Sequence, residues 1–507
     1  MKNNTRISVI VNIIRTLVLT LLSFITFPWV CRYLGESSLG AYTWANTFVA
    51  YCLILSKIGI PNLAVRECVK VRDDKEKLSN KVQGFFLLQM IATLLSFGLM
   101  CFLVFTVPDL KDSSALIFIL SINFIVGCFS FEWVFIALEK QFYMSVRSII
   151  SLTLCAILVI VFVTNPSDVY IYAFIAVGVT VFNTIANVIY LRKFVSFKKT
   201  MPYSFKEYVR PLFILCTLTF VISLYNQTDT FILGFFNKSD KAEVASYSVG
   251  IKGIDVIIGI IAGLSTVFIP RAAYYYNVED KQYFNNLNRY SVNICLFIVL
   301  PAIVTMAVLA KPICSLISGN FDYSGNGQYQ TAPLILMILC SMMLTYSLGD
   351  IIYGQILLPM KKEKYYLIAI GVGTIINIGL SLLLGGYLPS KVGWLTPAVG
   401  VAIGTAATDL LIVIFLMSIT WKWVKGAIFN LNTVKLLLAN LIILGISLAL
   451  YKPFEMLWGR LNLSESIAAI LQMVSIVLID AIVYLVFLGI TKEKLVYSFI
   501  RKKEQNI

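Results

Sequence analysis

The stretch from 82 to 106, VQGFFLLQMIATLLSFGLMCFLVFT, runs 25 residues without a charge. An α-helix needs ~20 apolar residues to cross a hydrocarbon core of about 30 Å, so this segment spans a bilayer. Its backbone polar groups find no water there, and at this length only a helix satisfies them. The two flanks differ. Six Lys and Arg lie between Arg66 and Lys81 on one side, whereas Lys111 stands alone on the other. Short loops rich in Lys and Arg stay cytoplasmic, so this segment starts inside and ends outside.

The same reading along the chain gives fourteen spans, at roughly 8–31, 39–60, 82–106, 114–135, 147–164, 169–191, 211–236, 244–269, 291–309, 333–357, 365–385, 394–420, 433–451 and 467–490. With the N-terminus inside, 29 Lys and Arg fall on inner gaps and 8 on outer gaps; four, Arg15, Lys57, Lys252 and Lys435, fall within spans. This bias places both termini in the cytoplasm. An odd number of spans would break the alternation; twelve would preserve it. Composition agrees: 59% of the 507 residues are hydrophobic and 13% charged, against about half and a quarter in a soluble domain. The expectation is an all-α integral membrane protein. The first apolar run is too long for a cleaved signal peptide and no small-residue site follows it, so it stays as the first helix.

Several function classes are excluded. The net charge of +15 sits in short loops between apolar spans, which argues against nucleic acid. The chain has no histidine, so imidazole catalysis and HExxH zinc sites are absent. Ten cysteines lie scattered without a CxxC pair and read as buried free thiols, with no metal site. Gly35-Glu36-Ser37-Ser38-Leu39-Gly40 has phosphate-loop glycine spacing, but Ala41-Tyr42 follows in place of Lys-Ser. No catalytic constellation, cofactor site or ATP site remains, and any energy source is an ion gradient.

A repeat divides the chain. Tyr42 and Arg66 are 24 residues apart, as are Tyr247 and Arg271, and a proline precedes each arginine, Pro61 and Pro270. Both halves begin in the same orientation, so the repeat is parallel; transporters are often built this way. The expected organisation is a six-helix lobe over 1–200, a second over 201–425, and two appended helices with a tail over 426–507.

Charges within spans are costly in lipid and mark functional surfaces by default. Arg15 lies about two turns into span one. Lys57 sits at the inner end of span two, where a lysine either snorkels to the interface or faces a cavity. Asp229 and Lys252 lie at similar depth on spans seven and eight and are positioned to pair. Lys252 and Asp255 also share a helix face at i,i+3. This surface is either a structural pair or a polar cavity in which the cation meets an anionic substrate and a carboxylate carries a coupling ion. Arg66 and Arg271 are topology anchors or guanidinium forks for phosphate. Asp350 and Asp409 are candidates for proton coupling, and Asp480 for satisfying a neighbouring helix. Gly400 and Gly404 suit close helix packing.

Asn12 and Arg15, Arg32-Tyr33-Leu34-Gly35, Gly40-Ala41-Tyr42, Asp229-Thr230-Phe231-Ile232-Leu233-Gly234, Tyr247 and Pro270-Arg271 resemble the Wzx-type polysaccharide flippases of the multidrug/oligosaccharidyl-lipid/polysaccharide exporter superfamily. The resemblance implies two pseudo-symmetric six-helix lobes around a central cavity and alternating access driven by a proton or sodium gradient. It implies an undecaprenyl-diphosphate-linked oligosaccharide of the O-antigen or capsule kind as substrate, moved from inner to outer leaflet among membrane lipids. A polymerase and glycosyltransferases are the implied partners. Arg15, Lys57 and Lys252 match the cationic cavity residues of that family, and Arg271 less closely. A cation-coupled multidrug exporter would favour carboxylates and aromatics over Arg and Lys. A membrane polymerase would carry a long outer loop. A lipid II flippase stays open as a rival.

Overall fold

The computed structural model describes residues 2–57, 59–197, 206–236, 240–322, 327–393, 395–461, 464–493 and 495–496. Among these, twelve helices are long and apolar enough to cross a membrane. The helix Lys2–Lys57 carries expected spans one and two in one run, interrupted at Gly35 with φ 71° and ψ 174°. That conformation is open to glycine and strained for other residues, and it falls inside the expected outer turn. Span seven, Lys206–Phe236, adds a further helix of 31 residues. Each of the fourteen expected spans therefore coincides with a helix.

Span three is Lys75–Thr106, and span four is Ser114–Cys128 continued by Glu132–Ala137. Spans five and six are Gln141–Phe162 and Val169–Leu191, and spans eight and nine are Ala242–Asn277 and Lys281–Val308. Span ten runs through Ala332–Leu339, Met342–Ile351 and a π-helical turn, Ile352–Leu357. Span eleven, Glu363–Ser381, also ends in a π turn, Leu382–Tyr387. Spans twelve, thirteen and fourteen are Pro397–Ile428, Leu431–Gly459 and Glu465–Ile490. A short helix, Ile60–Val69, follows span two, and another, Ala310–Ser318, follows span nine.

Local chemistry sets the helix ends. Asp74 accepts from the backbone of Glu76 and Lys77 and so caps span three. Asp280, Thr396 and Asn430 cap spans nine, twelve and thirteen in the same manner. Spans four and ten both close on a left-handed residue, Glu139 and Lys361. In each, the next amide reaches back five residues, from Lys140 to Phe135 and from Lys362 to Leu357, at 2.9 Å. This Schellman geometry recurs at corresponding spans of the two sequence halves.

The chain forms two compact units, Met1–Ala245 and Ser246–Ile507. The expected lobe boundary at 200/201 lies outside the described residues; span seven packs on the first helix, within the first unit. In the first unit, Leu63, Leu78, Val82, Phe85, Phe135 and Leu191 form a buried cluster. In the second, Ala272, Phe284, Leu287, Ile356, Leu357 and Val424 do the same. These clusters draw on the ends of spans two, three, four and six, and of spans eight, nine, ten and twelve. Each sequence half thus carries a buried core near these ends.

The outer faces are apolar. Leu95, Phe105, Ile375 and Ile490 are 71%, 73%, 72% and 76% exposed. Such surfaces suit lipid and not water. Between spans eleven and twelve, a Cβ on Gly400 would overlap the backbone at Leu384 and one on Gly404 would meet Leu380 at 3.3 Å, so small residues do permit close approach there.

Candidate functional site

The second unit carries in-span charges on spans eight and ten. Lys252 and Asp255 lie on one face of span eight, with Nζ 2.8 Å from Oδ2 and side chains 43% and 46% exposed. On span ten, Tyr346 and Asp350 are four residues apart and share a face. Tyr353, three residues further on, stacks its ring on Tyr366 of span eleven at 4.2 Å. Spans eight, ten and eleven thus carry one ammonium, two carboxylates and three phenols between them. The π turn begins two residues after Asp350, and such turns re-aim side chains at functional positions.

Two other carboxylates lie on other spans. Asp409 is buried on span twelve, and its Oδ2 has no hydrogen-bond partner among the described residues. Asp480 is also buried, and its carboxylate accepts from Ser447 and Thr305 at 2.8 Å. It satisfies neighbouring helices, as expected. Arg271 is exposed near the end of span eight.

In the first unit, Arg15 is half-buried in the first helix and Lys57 is exposed at that helix's end. Arg66 is exposed on Ile60–Val69, opposite Leu63, Ala64 and Cys68. Arg66 and Arg271 match in spacing but not in local structure. Gly59, at φ 67°, and Pro61 start a separate helix before Arg66, whereas span eight runs on through Pro270. Asp229 is buried, and the Tyr51 phenol donates to the Leu224 carbonyl, farther back on the same helix, at 3.4 Å. Asp229 belongs to the first unit and Lys252 to the second, and their pairing stays an expectation.

Sequence reading missed two buried cations because it counted both as loop charges. Lys241 is 6% exposed; its Nζ lies 4.4 Å from the Trp44 ring centroid and donates to the Gly234 carbonyl. Trp44 in turn donates to the Phe231 carbonyl at 3.0 Å. Phe48, Tyr51, Phe231 and Phe235 continue this packing between span two and span seven. Arg147 is 6% exposed because span five begins at Gln141, one and a half turns earlier than expected. It donates to Glu132 at 2.6 Å and to Asn187, and Asn187 donates at 2.5 Å to the Ser130 carbonyl, freed where span four breaks. Phe131, at φ 47°, makes that break.

Comparison with known proteins places these features. A family model described as "Polysaccharide biosynthesis protein" matches residues 6–275, and a second, MatE, matches 215–383. A putative O-antigen transporter of Escherichia coli (strain K12) is 24% identical over 406 residues, covering 77% of this chain and 91% of the relative. A putative O-antigen transporter of Shigella dysenteriae is 24% identical over 318 residues, covering 59% and 71%. Among solved structures, the lipid II flippase MurJ in an inward closed conformation shares the fold at a TM-score of 0.72 and 18% identity, covering 95% of this chain and 99% of that one. An inward-facing multidrug resistance MATE family transporter does so at 0.60 and 16%, covering 80% and 96%.

Proposed function

We propose, from the premise that this chain belongs to the polysaccharide biosynthesis protein family of flippases and transporters, that it moves an undecaprenyl-diphosphate-linked oligosaccharide from the inner to the outer leaflet of a bacterial plasma membrane. The observation that carries the reading is the ion pair of Lys252 with Asp255 inside span eight, at 2.8 Å. A diphosphate leaves the interface only if a cation receives it, because burying unpaired charge is costly. Lys252 supplies that cation, and the polyprenyl tail stays in lipid.

The Lys252–Asp255 pair gives a coupling route. While Asp255 is ionised, it competes with the diphosphate for the ammonium. A proton or sodium ion on Asp255 or Asp350 weakens that competition and frees Lys252 for substrate. The ion that enters on the return step thus leaves Lys252 free for substrate at the cytoplasmic face, and its release there precedes the outward swing, as export driven by an inward gradient needs. Asp229 and Asp409, both buried, are the further coupling candidates. Arg15, Lys57, Arg66 and Arg271 extend the cationic surface toward the cytoplasmic side, where the substrate is collected and both termini lie. Glycosyltransferases supply the substrate and a polymerase consumes it; the chain itself catalyses no covalent step.

The reading is tested in cells lacking the chromosomal copy. Arg15→Ala and Lys252→Ala insert normally but fail to export the lipid-linked sugar. Normal surface glycan in both variants overturns the cationic-cavity account.

A further inference from the structure

The second unit holds a cavity of about 420 Å³ that this transport reading does not use. It lies between the short helix Ala310–Ser318, the end of span thirteen and the start of span fourteen, on the face opposite the basic loops. Its walls include Lys311, Tyr451, Glu455, Trp458, Glu465 and Gln472. The volume falls within the ~300–1,000 Å³ range of small-molecule sites.

The lining mixes donors and acceptors. Among the described residues, Lys311, Glu455 and Glu465 form no ion pair with one another or with a neighbour. The Trp458 indole nitrogen is buried and has no hydrogen-bond partner among the described residues. A buried donor without an acceptor is rare enough to demand an explanation. Gln472 is 6% exposed and donates at 3.2 Å to the Tyr451 carbonyl, which fixes its amide and leaves the amide oxygen as an acceptor.

We infer that this cavity binds a short, uncharged saccharide. Each sugar hydroxyl both donates and accepts. It can therefore serve the carboxylates of Glu455 and Glu465 and the Gln472 oxygen, and also the Lys311 ammonium and the Trp458 N–H. The Tyr451 and Trp458 rings offer apolar faces for the C–H face of a pyranose. A phosphate meets two carboxylates against one lysine. An organic cation meets Lys311 in the same wall and leaves the Trp458 N–H unsatisfied. The site fits the glycan portion of a delivered substrate on the outer face, and that role rests on the transport reading; the binding itself does not.

The test uses the full chain in lipid nanodiscs. The probe is the free oligosaccharide released by mild acid from the host's own lipid-linked pool, followed by saturation-transfer NMR. The wild type transfers saturation to the sugar protons. Glu455→Gln, at an exposed position, weakens the apparent affinity about tenfold, the effect of losing one charged hydrogen bond. Trp458→Phe, which keeps the ring and deletes the N–H, also weakens it. Absence of transfer to the wild type, or equal transfer in both variants, overturns the assignment. So does binding of tetraphenylphosphonium with loss in Glu455→Gln while the sugar gives no signal. Lys252→Ala binds the oligosaccharide as the wild type does even if it no longer transports, so failure of the transport reading and failure of this one are told apart.

Discussion

The Lys241 ammonium stands 4.4 Å above the indole of Trp44, in the interior of the first unit. A cation over an aromatic face gains about 2 kcal/mol or more when desolvated. The contact has no slack around it. A Cβ on Gly40 would overlap the Lys241 backbone, and one on Gly234 would overlap the Trp44 ring. Gly40→Ala should therefore lower stability by about 1–3 kcal/mol through overpacking. Gly98→Ala, with nothing within 4 Å of its Cβ, should be neutral or stabilising. Thermal unfolding in detergent, read by fluorescence size-exclusion, checks both; equal melting temperatures would refute the close packing.

The Glu132–Arg147 pair makes an asymmetric prediction. Arg147 is 5% exposed at its side chain and Glu132 is 48% exposed. Arg147→Met removes the buried charge and leaves Glu132 in water; its cost is the orphaned Asn187 oxygen, about 1–3 kcal/mol. Glu132→Ala instead strands a buried guanidinium and should cost more, about 3–5 kcal/mol. Unfolding measurements that rank the two variants the other way would show that the pair is effectively solvated.

Coupling should respond to the carboxylates of spans eight and ten. In proteoliposomes, wild-type transport should accelerate under an imposed proton or sodium gradient. Asp255→Asn and Asp350→Asn should keep a slow basal flux and lose that acceleration. Wild-type transport indifferent to both gradients removes the coupling role from every carboxylate named above.

The Asp74 cap of span three gives a pH dependence. Backbone donation from Lys77, then its ammonium, holds this carboxyl below its ordinary value of 3.8. A depressed folded value means that the stabilisation is present above the unfolded value and is lost as pH falls through the folded one. Asp74→Ala should thus melt below the wild type at neutral pH, and the gap should close only below about pH 4. A gap that persists unchanged at pH 3 would place the effect elsewhere.

Most of the fold was readable because lipid imposes a length and a charge rule on every span. The π turns of spans ten and eleven were not, since they depend on how neighbouring helices pack. The Lys252–Asp255 pair was readable from i,i+3 spacing alone. The stacking of Tyr353 on Tyr366 depends on how spans ten and eleven pack, which hydropathy does not encode. Lys241 and Arg147 were hidden for a related reason. A charge near a span end reads as solvated, and their partners Trp44 and Asn187 are distant in sequence.

Reconstituted flipping tests the central claim that the Lys252 ammonium receives the diphosphate. Wild type, Lys252→Arg and Lys252→Ala are placed at equal density in vesicles carrying the lipid-linked oligosaccharide, and outer-leaflet arrival is followed with an impermeant glycan-modifying reagent. The account predicts loss of more than about tenfold in Lys252→Ala, as for a deleted charge-assisted bond, with partial recovery in Lys252→Arg. Wild-type rates in Lys252→Ala would contradict it.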